Sequence, residues 1–130
     1  MSLRDELRRL FEIGRHPLRL GAQSADQFDG FVLERLHFTT RDGEPVRGLL
    51  TRPADTTRPL PAILYIHAHG NRYDIGAAEL IDGRDALQSP LGPVFARAGY
   101  VTLTIDVPCF GERAAMTESP AAKALLWEGR

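Results

Sequence analysis

Residues 62–70 have the sequence Ala-Ile-Leu-Tyr-Ile-His-Ala-His-Gly, and the expected fold is built around this segment. Its first five residues form an unbroken apolar run of strand length, typical of a strand buried on both faces. We therefore expect a central strand at residues 62–66. The His-Ala-His-Gly that follows ends the apolar run, and its glycine allows the backbone to turn sharply at the carboxyl end of the strand.

A second strand is predicted downstream, at Val101–Ile105, where apolar residues and threonines alternate. Residues 93–98 before it are predicted to end a helix that Gly99 closes. Strand, helix and strand make a crossover unit, so the two strands should be parallel. We expect the later strand to lie near an edge of the sheet. Residues 119–127 are predicted to form a last helix, with Ser119 as its cap.

Upstream of the apolar run, the pattern predicts a β-hairpin. Residues 31–40 and 46–51 have strand character, and Asp42 with Gly43 supplies the turn between them. Residues 52–61 are predicted to be a loop. Residues 15–30 show no clear period and are also predicted to be loop, with at most a short helical turn.

The N-terminus is predicted to form an amphipathic helix. Its apolar side chains share one face, Ser2 and Asp5 form a capping pair, and Gly14 ends it; the apolar residues are Leu3, Leu7, Leu10 and Phe11. A helix start directly after Met1 suggests a natural beginning of the chain.

Composition narrows the class of protein. The chain has 130 residues, of which 43% are hydrophobic and 25% charged, and its net charge is -1, the balance of a globular domain. The basic residues form no stripe, so we expect no nucleic-acid or membrane partner. A single cysteine, Cys109, excludes an internal disulfide and fits a cytoplasmic location. No apolar run is long enough to span a bilayer.

Two motifs resemble the dienelactone-hydrolase and acetyl-xylan-esterase-like branch of the α/β-hydrolases. Residues 65–70, Tyr-Ile-His-Ala-His-Gly, resemble its third strand and oxyanion loop. Residues 98–113, with Ala-Gly-Tyr-Val leading to Asp106 and then Phe-Gly-Glu-Arg, resemble a second run of that branch. The resemblance covers residues 31–113 and implies the N-terminal part of an α/β-hydrolase fold, in which an antiparallel hairpin leads into a parallel sheet with flanking helices.

The expected organisation is one incomplete domain spanning residues 1–130. Residues 1–30 would form the N-terminal helix and loop, residues 31–113 the sheet with its oxyanion loop, and residues 114–130 the terminal helix. No cofactor is expected.

The resemblance also implies a site. The oxyanion loop would comprise His69, Gly70, Asn71 and Arg72, with the backbone amide of Asn71 as the favoured donor and that of Arg72 as second choice. His69 would orient the loop. Independently of the family, a glycine after a buried strand exposes backbone N–H groups in the crevice where α/β sheets bind ligands.

Other interpretations of these residues remain open. His67 and His69 could both be structural, or they could bind a metal ion with Asp74, His37 or His16. The sequence lacks the closely spaced Asp-His that usually completes such a centre, so no metal is expected.

Cys109 could be a nucleophile, since dienelactone hydrolases use cysteine. The resembled family usually has glycine at this position, however, and an ordinary thiol is favoured. Asp106, Glu112 and Arg113 are expected to pair with one another and hold the loop beside the oxyanion site.

The sequence contains no G-x-S-x-G motif around Ser2, Ser24, Ser89 or Ser119. The resemblance implies the N-terminal part of a serine-type hydrolase of esters or related acyl bonds, and we expect this chain to be inactive alone because no triad is present. The alternatives are an inert fragment or binding module acting with a partner chain, and a metal-dependent hydrolase using His67 and His69.

We expect self-association or a complementing C-terminal segment, because one crossover helix cannot cover both faces of a sheet. A small ester or acyl substrate would bind the complete enzyme.

Overall fold

In the described residues, a five-stranded sheet has two short helices packed on one of its faces. The computed structural model describes residues 2–10 and 19–129. Its helices are α1 Leu3–Leu10, α2 Glu79–Asp82, α3 Leu91–Arg97 and α4 Glu118–Trp127, with 3-10 turns at Gly76–Ala78 and Gly111–Arg113. Its strands are β1 Arg19–Phe28, β2 Phe31–Thr39, β3 Pro45–Pro53, β4 Ala62–Leu64 and β5 Val101–Ile105.

The strands lie in the order β1-β2-β3-β5-β4. The first three form an antiparallel meander, β3 pairs antiparallel with β5, and β4 pairs parallel with β5. The expected α/β class, the hairpin and the parallel crossover are confirmed. The sheet is mostly antiparallel, however, because the whole meander joins it and the described residues contain one parallel pair.

The prediction of a loop at residues 15–30 is wrong for its larger part. Arg19–Phe28 is a strand that pairs with β2 along its length, with an irregularity between Leu20 and Gln23. Most of its side chains are exposed, so the strand is held by its backbone ladder and shows no apolar alternation in the sequence. Residues 15–18 lie outside the described residues.

The first helix starts as predicted, and the last helix starts slightly earlier than predicted. Ser2 Oγ donates to Asp5 Oδ2 at 2.6 Å and accepts from the Asp5 amide at 3.2 Å, which confirms the capping pair. Phe11 and Gly14 lie outside the described residues. Helix α4 begins at Glu118, with Thr117 in the cap position, slightly before the Ser119 start that was predicted.

The apolar run at residues 62–66 is not a central strand. Strand β4 occupies the edge of the sheet, and β5, expected near the edge, lies between β3 and β4. Leu64 and Ile66 are 66% and 63% exposed. An apolar run predicts that both faces of a strand favour burial. It does not show whether the rest of the chain provides the strands and helices that would bury them.

The core lies between the sheet and helices α2 and α3. It contains Phe31 and Leu33 of β2, Leu49 of β3, Ala77, Leu80 of α2 and Ala96 of α3. Thr51, Thr102 and Thr104 are buried on the same face, and the Thr51 hydroxyl donates to the Gly92 carbonyl of α3 at 3.2 Å. This hydroxyl fixes the first turn of α3 to the sheet.

The opposite face of the sheet carries an open apolar groove of about 300 Å³. Its lining comes from four strands and the β2–β3 turn, and consists of Phe38, Thr39, Thr40, Val46, Leu64, Leu103 and Ile105. The alternation in β5 explains this distribution, because Thr102 and Thr104 face the core while Leu103 and Ile105 face the groove. Among the described residues, no helix has the length and apolarity needed to cross a bilayer.

Candidate functional site

The loops after β4 and β5 meet at one edge of the sheet. Because the two strands are parallel, their carboxyl ends lie side by side. The Tyr65 amide donates to the Leu103 carbonyl at 2.8 Å, and the Val107 amide donates to His67 Nε2 at 3.4 Å. These bonds bring the predicted oxyanion loop next to residues 106–113.

The predicted oxyanion loop is a tight left-handed turn. Gly70 and Asn71 have φ angles of 48° and 56°, and the Arg72 amide donates to the His69 carbonyl at 3.1 Å. Positive φ at both central residues is the feature of a type I′ turn, and asparagine tolerates it better than most residues. The Arg72 amide is therefore used within the turn.

The Asn71 amide, the favoured donor, faces the ring of His69. It donates to His69 Nδ1 at 3.1 Å, and the other ring nitrogen, Nε2, lies 2.7 Å from Glu118 Oε2 on α4. Since Nδ1 accepts, the ring proton belongs on Nε2, from which it is donated to Glu118. The ring also contacts Tyr73 and Phe110 edge-on, with centroids 5.3 and 5.2 Å away. His69 thus links the turn to α4.

His67 lies deeper and has a different environment. It is 6% exposed, and its ring packs against Phe110 with centroids 5.0 Å apart. Its Nε2 accepts the Val107 amide, so the imidazole joins the two loops. This environment fits the structural interpretation of His67.

The metal interpretation finds no support in the part of the chain that the structure describes. No group of three or more His, Cys, Asp or Glu side chains converges there. Of the suggested further ligands, Asp74 is held by Arg72 through two contacts of 3.0 Å, and His37 lies on β2 opposite Arg47 of β3. His16 lies outside the described residues.

A buried glutamate that the sequence analysis missed lies beneath the loop. Glu79 is 2% exposed and accepts hydrogen bonds from the Ala68 amide, the Tyr65 hydroxyl and Arg84 Nη1, the last at 3.0 Å. Burial and the bond to Glu79 raise the pKa of Tyr65 well above its ordinary value, so its hydroxyl remains a donor. A charged residue within the apolar segment Ala-Ala-Glu-Leu-Ile at residues 77–81 was the available signal.

Arg84 extends from Glu79 to the glycine of the turn. A Cβ atom added to Gly70 would lie 1.7 Å from Arg84 Nη2, so the guanidinium packs directly on this residue. Glycine suits position 70 because it accepts the left-handed backbone, and a Cβ atom there would displace the end of the Arg84 side chain.

Asp106 organises the neighbouring loop, as expected for a structural carboxylate. It is fully buried and accepts from the Ala77 amide at 2.7 Å, the Glu112 amide at 3.0 Å, and Arg47 at 3.0 and 3.1 Å. The Glu112 side chain is 57% exposed and lies 3.5 Å from Arg47. Arg47 was missed because it is 59 residues away in sequence.

Arg113 ties this loop to the β2–β3 turn. It donates to the Asp106 carbonyl at 3.0 Å and to the Glu44 carboxylate at 2.8 and 2.7 Å. The hydrogen bond from Arg113 lowers the pKa of Glu44 below its ordinary value. The expectation that Asp106, Glu112 and Arg113 pair with one another is wrong, because both carboxylates lie against Arg47 and Arg113 pairs with Glu44. Arg113 still holds the loop, through the Asp106 carbonyl.

Cys109 is buried in the turn between Asp106 and Phe110 and forms no disulfide. Its φ angle is 73°, a backbone conformation that favours glycine. The Phe110 amide donates to the Val107 carbonyl at 3.1 Å, which closes the turn. A buried thiol fits the ordinary role that was favoured over a nucleophile.

The chain is similar in sequence to a known bacterial protein. The protein named "Putative hydrolase YtaP" from Bacillus subtilis (strain 168) is 32% identical over 117 residues, which cover 89% of this chain and 39% of that protein. The chain is similar to part of a hydrolase. No family model matches it.

A solved structure shares the fold. It is a "putative acetyl xylan esterase" from Bacteroides fragilis NCTC 9343, with a TM-score of 0.63 and 22% identity, and the match covers 88% of this chain and 31% of that one. At this identity the likeness shows the α/β fold alone. The chain thus spans less than half the length of either protein, and neither match assigns it to a particular branch.

Proposed function

We propose that this chain supplies the oxyanion loop of a serine-type α/β-hydrolase that cleaves carboxylic esters or related acyl bonds. The observation that carries the proposal is the left-handed turn at residues 69–72, at the carboxyl end of β4 and beside parallel β5. Open α/β sheets bind substrates at this edge. The similarity to a hydrolase over 89% of the chain supports the same class of reaction.

In the proposed reaction, the Asn71 amide stabilises the charge that develops on the substrate carbonyl oxygen. One such donor contributes about 3 kcal/mol to the transition state. The oxyanion competes with His69 Nδ1, which accepts this amide in the structure. His69 keeps its bond to Glu118, and the stacked rings of Tyr73 and Phe110 beside it form one wall of the substrate pocket.

The nucleophile, acid and base would come from a C-terminal hydrolase segment. The apolar groove and the free edge of β4 offer that segment a docking surface, since Leu64 and Ile66 are exposed there and β4 pairs with one neighbour among the described strands. An open parallel edge beside an uncovered apolar face favours a further strand and covering helices. Self-association of the chain is the outcome expected when no such segment is present.

The test is complementation. The 130-residue chain alone should hydrolyse p-nitrophenyl acetate no faster than background, because a donor without a nucleophile leaves little catalysis. Co-expression with a C-terminal α/β-hydrolase segment that carries a G-x-S-x-G should yield a complex with a burst of p-nitrophenol. Replacing the serine of that motif by alanine should abolish the burst.

Two results would contradict the proposal. One is a burst from the chain alone with the acyl group mapped to Cys109, which would make the thiol the nucleophile. The other is a stable, fully folded complex without ester hydrolysis, which would favour the second candidate, a binding module. The exposed apolar groove is the observation that keeps this second candidate open.

A further inference from the structure

Glu79 and Arg84 form an ion pair buried against the back of the loop after β4. The carboxylate side chain is 2% exposed and the guanidinium 13%, with Nη1 and Oε2 3.0 Å apart. Removing two charges from water costs about as much as their attraction returns, so a pair of this kind contributes little net stability. Its position therefore needs another explanation.

The pair contacts the loop at two successive points. Glu79 accepts the Ala68 amide at 3.2 Å through both carboxylate oxygens. Arg84 packs on Gly70, two residues further along, so closely that a Cβ atom there would overlap it. Tyr65, which directly follows β4, donates to the same carboxylate. Glu79 and Arg84 together therefore connect the end of β4, the loop and the segment after α2.

The shape of the loop depends on this support. Gly70 and Asn71 adopt the left-handed backbone of a type I′ turn, which glycine and asparagine accept readily, and contacts on both sides of the turn hold it in place beside β5. On the solvent side, the turn is held by His69 and Glu118, both of which are exposed. The contacts on the buried side come from Glu79 and Arg84.

We infer that Glu79 and Arg84 are positioning residues, which hold residues 68–72 in the shape that presents the Asn71 amide; this inference rests on the function proposed above. They do not touch the reacting atoms. Glu79 fixes the start of the loop through a backbone amide, and Arg84 supports its left-handed centre. The fork of the guanidinium matters as well as its charge, because a planar group packs on Gly70 where a lysine ammonium would not.

The experiment measures amide hydrogen exchange, resolved by mass spectrometry, on the 130-residue chain. The double variant Glu79→Leu, Arg84→Met removes both charges at similar volume. Exchange at residues 68–72 should rise about tenfold to a hundredfold, the effect of losing a hydrogen bond to a charged group. Exchange in the β2–β3 hairpin should change less than threefold. The matched control is Glu34→Leu, Arg52→Met, an ion pair of 2.6 Å between β2 and β3, which should leave the loop unchanged.

A second variant keeps the test decisive if the double variant does not fold. Arg84→Lys keeps the charge opposite Glu79 but removes the planar group, so exchange should rise about threefold at residues 70–72 and stay unchanged at Ala68. In the complemented hydrolase, Arg84→Lys should lower kcat and leave KM within twofold of its original value.

Loop exchange equal to that of the Glu34 and Arg52 control, or a higher KM at unchanged kcat, would overturn the inference. Exchange needs no turnover, so an inactive complex would contradict the proposed function and leave the positioning role standing.

Discussion

The loops after β4 and β5 are each organised by one buried carboxylate, and they differ in what that carboxylate holds. Asp106 accepts two backbone amides, those of Ala77 and Glu112, together with Arg47 from β3. Glu79 accepts one backbone amide, and its other partners are the side chains of Tyr65 and Arg84. The Asp106 carboxylate thus joins two backbone segments and β3, whereas the Glu79 carboxylate joins one backbone amide and two side chains.

The largest effect should come from removing Asp106. Asp106→Ala leaves Arg47 without its main partner and two amides without an acceptor, so the free energy of unfolding should fall by about 3–5 kcal/mol. Urea denaturation measures this change. Glu112→Ala is the control, since its exposed carboxylate lies 3.5 Å from the same arginine and should change the free energy by less than about 0.5 kcal/mol. Equal losses in the two variants would contradict the greater structural role of the Asp106 carboxylate.

Two glycine substitutions test how tightly the backbone packs around the Asp106 carboxylate. Gly76 has φ 54°, and a Cβ atom there would lie 2.2 Å from Asp106 Oδ1. Gly43 has φ 87° in the β2–β3 turn, with nothing within 4 Å of its Cβ position. Gly43→Ala should cost about 1 kcal/mol through backbone strain alone, and Gly76→Ala about 2 kcal/mol more through overlap with the carboxylate. Thermal unfolding of both variants tests this, and equal costs would show that the region around Asp106 yields easily.

The smallest effect should come from the ion pair of Arg113 and Glu44, which connects the β5 loop to the β2–β3 turn. Glu44 has a pKa lowered from its ordinary value of 4.5 by the hydrogen bond from Arg113. A lowered folded-state pKa means that the pair stabilises the fold above about pH 4.5, and that this contribution is lost as the pH falls through the folded value. Because half of the Glu44 side chain is exposed, the contribution should stay below about 1 kcal/mol.

Urea midpoints between about pH 3 and 7, compared for the unaltered chain and Glu44→Gln, isolate this effect. The two curves should converge at the acid end and separate toward neutral pH. A constant separation across the whole range would show that the Glu44 charge makes no contribution.

Much of the fold could be predicted from the sequence where hydrophobic pattern and turn chemistry agree. The hairpin at Asp42 and Gly43, the crossover from β4 to β5 and the Ser2–Asp5 cap all depend on residues close in sequence. Strand β1 was missed because its exposed side chains carry no alternation. The position of β4 was mistaken because an apolar run does not show how many strands and helices will cover it.

In the candidate site, too, local features could be predicted from the sequence and long-range contacts could not. The turn at residues 69–72 and the buried Asp106 follow from glycine and aspartate at strand ends, which are local signals. Arg47 is brought to Asp106 by the pairing of β3 with β5, and the contact of Arg84 with Gly70 depends on the path of the chain after α2. Such contacts follow from topology, and a single sequence carries no direct record of them.

The role of the Asn71 amide can be observed in a crystal structure of the complemented hydrolase with a phosphonate ester covalently bound to its serine. We expect a phosphonyl oxygen about 2.7–3.1 Å from the Asn71 amide nitrogen. The Asn71 amide should have left the His69 ring, while Glu79 and Arg84 still support the loop. A phosphonyl oxygen bound elsewhere, with the Asn71 amide still donating to His69 Nδ1, would contradict this expectation.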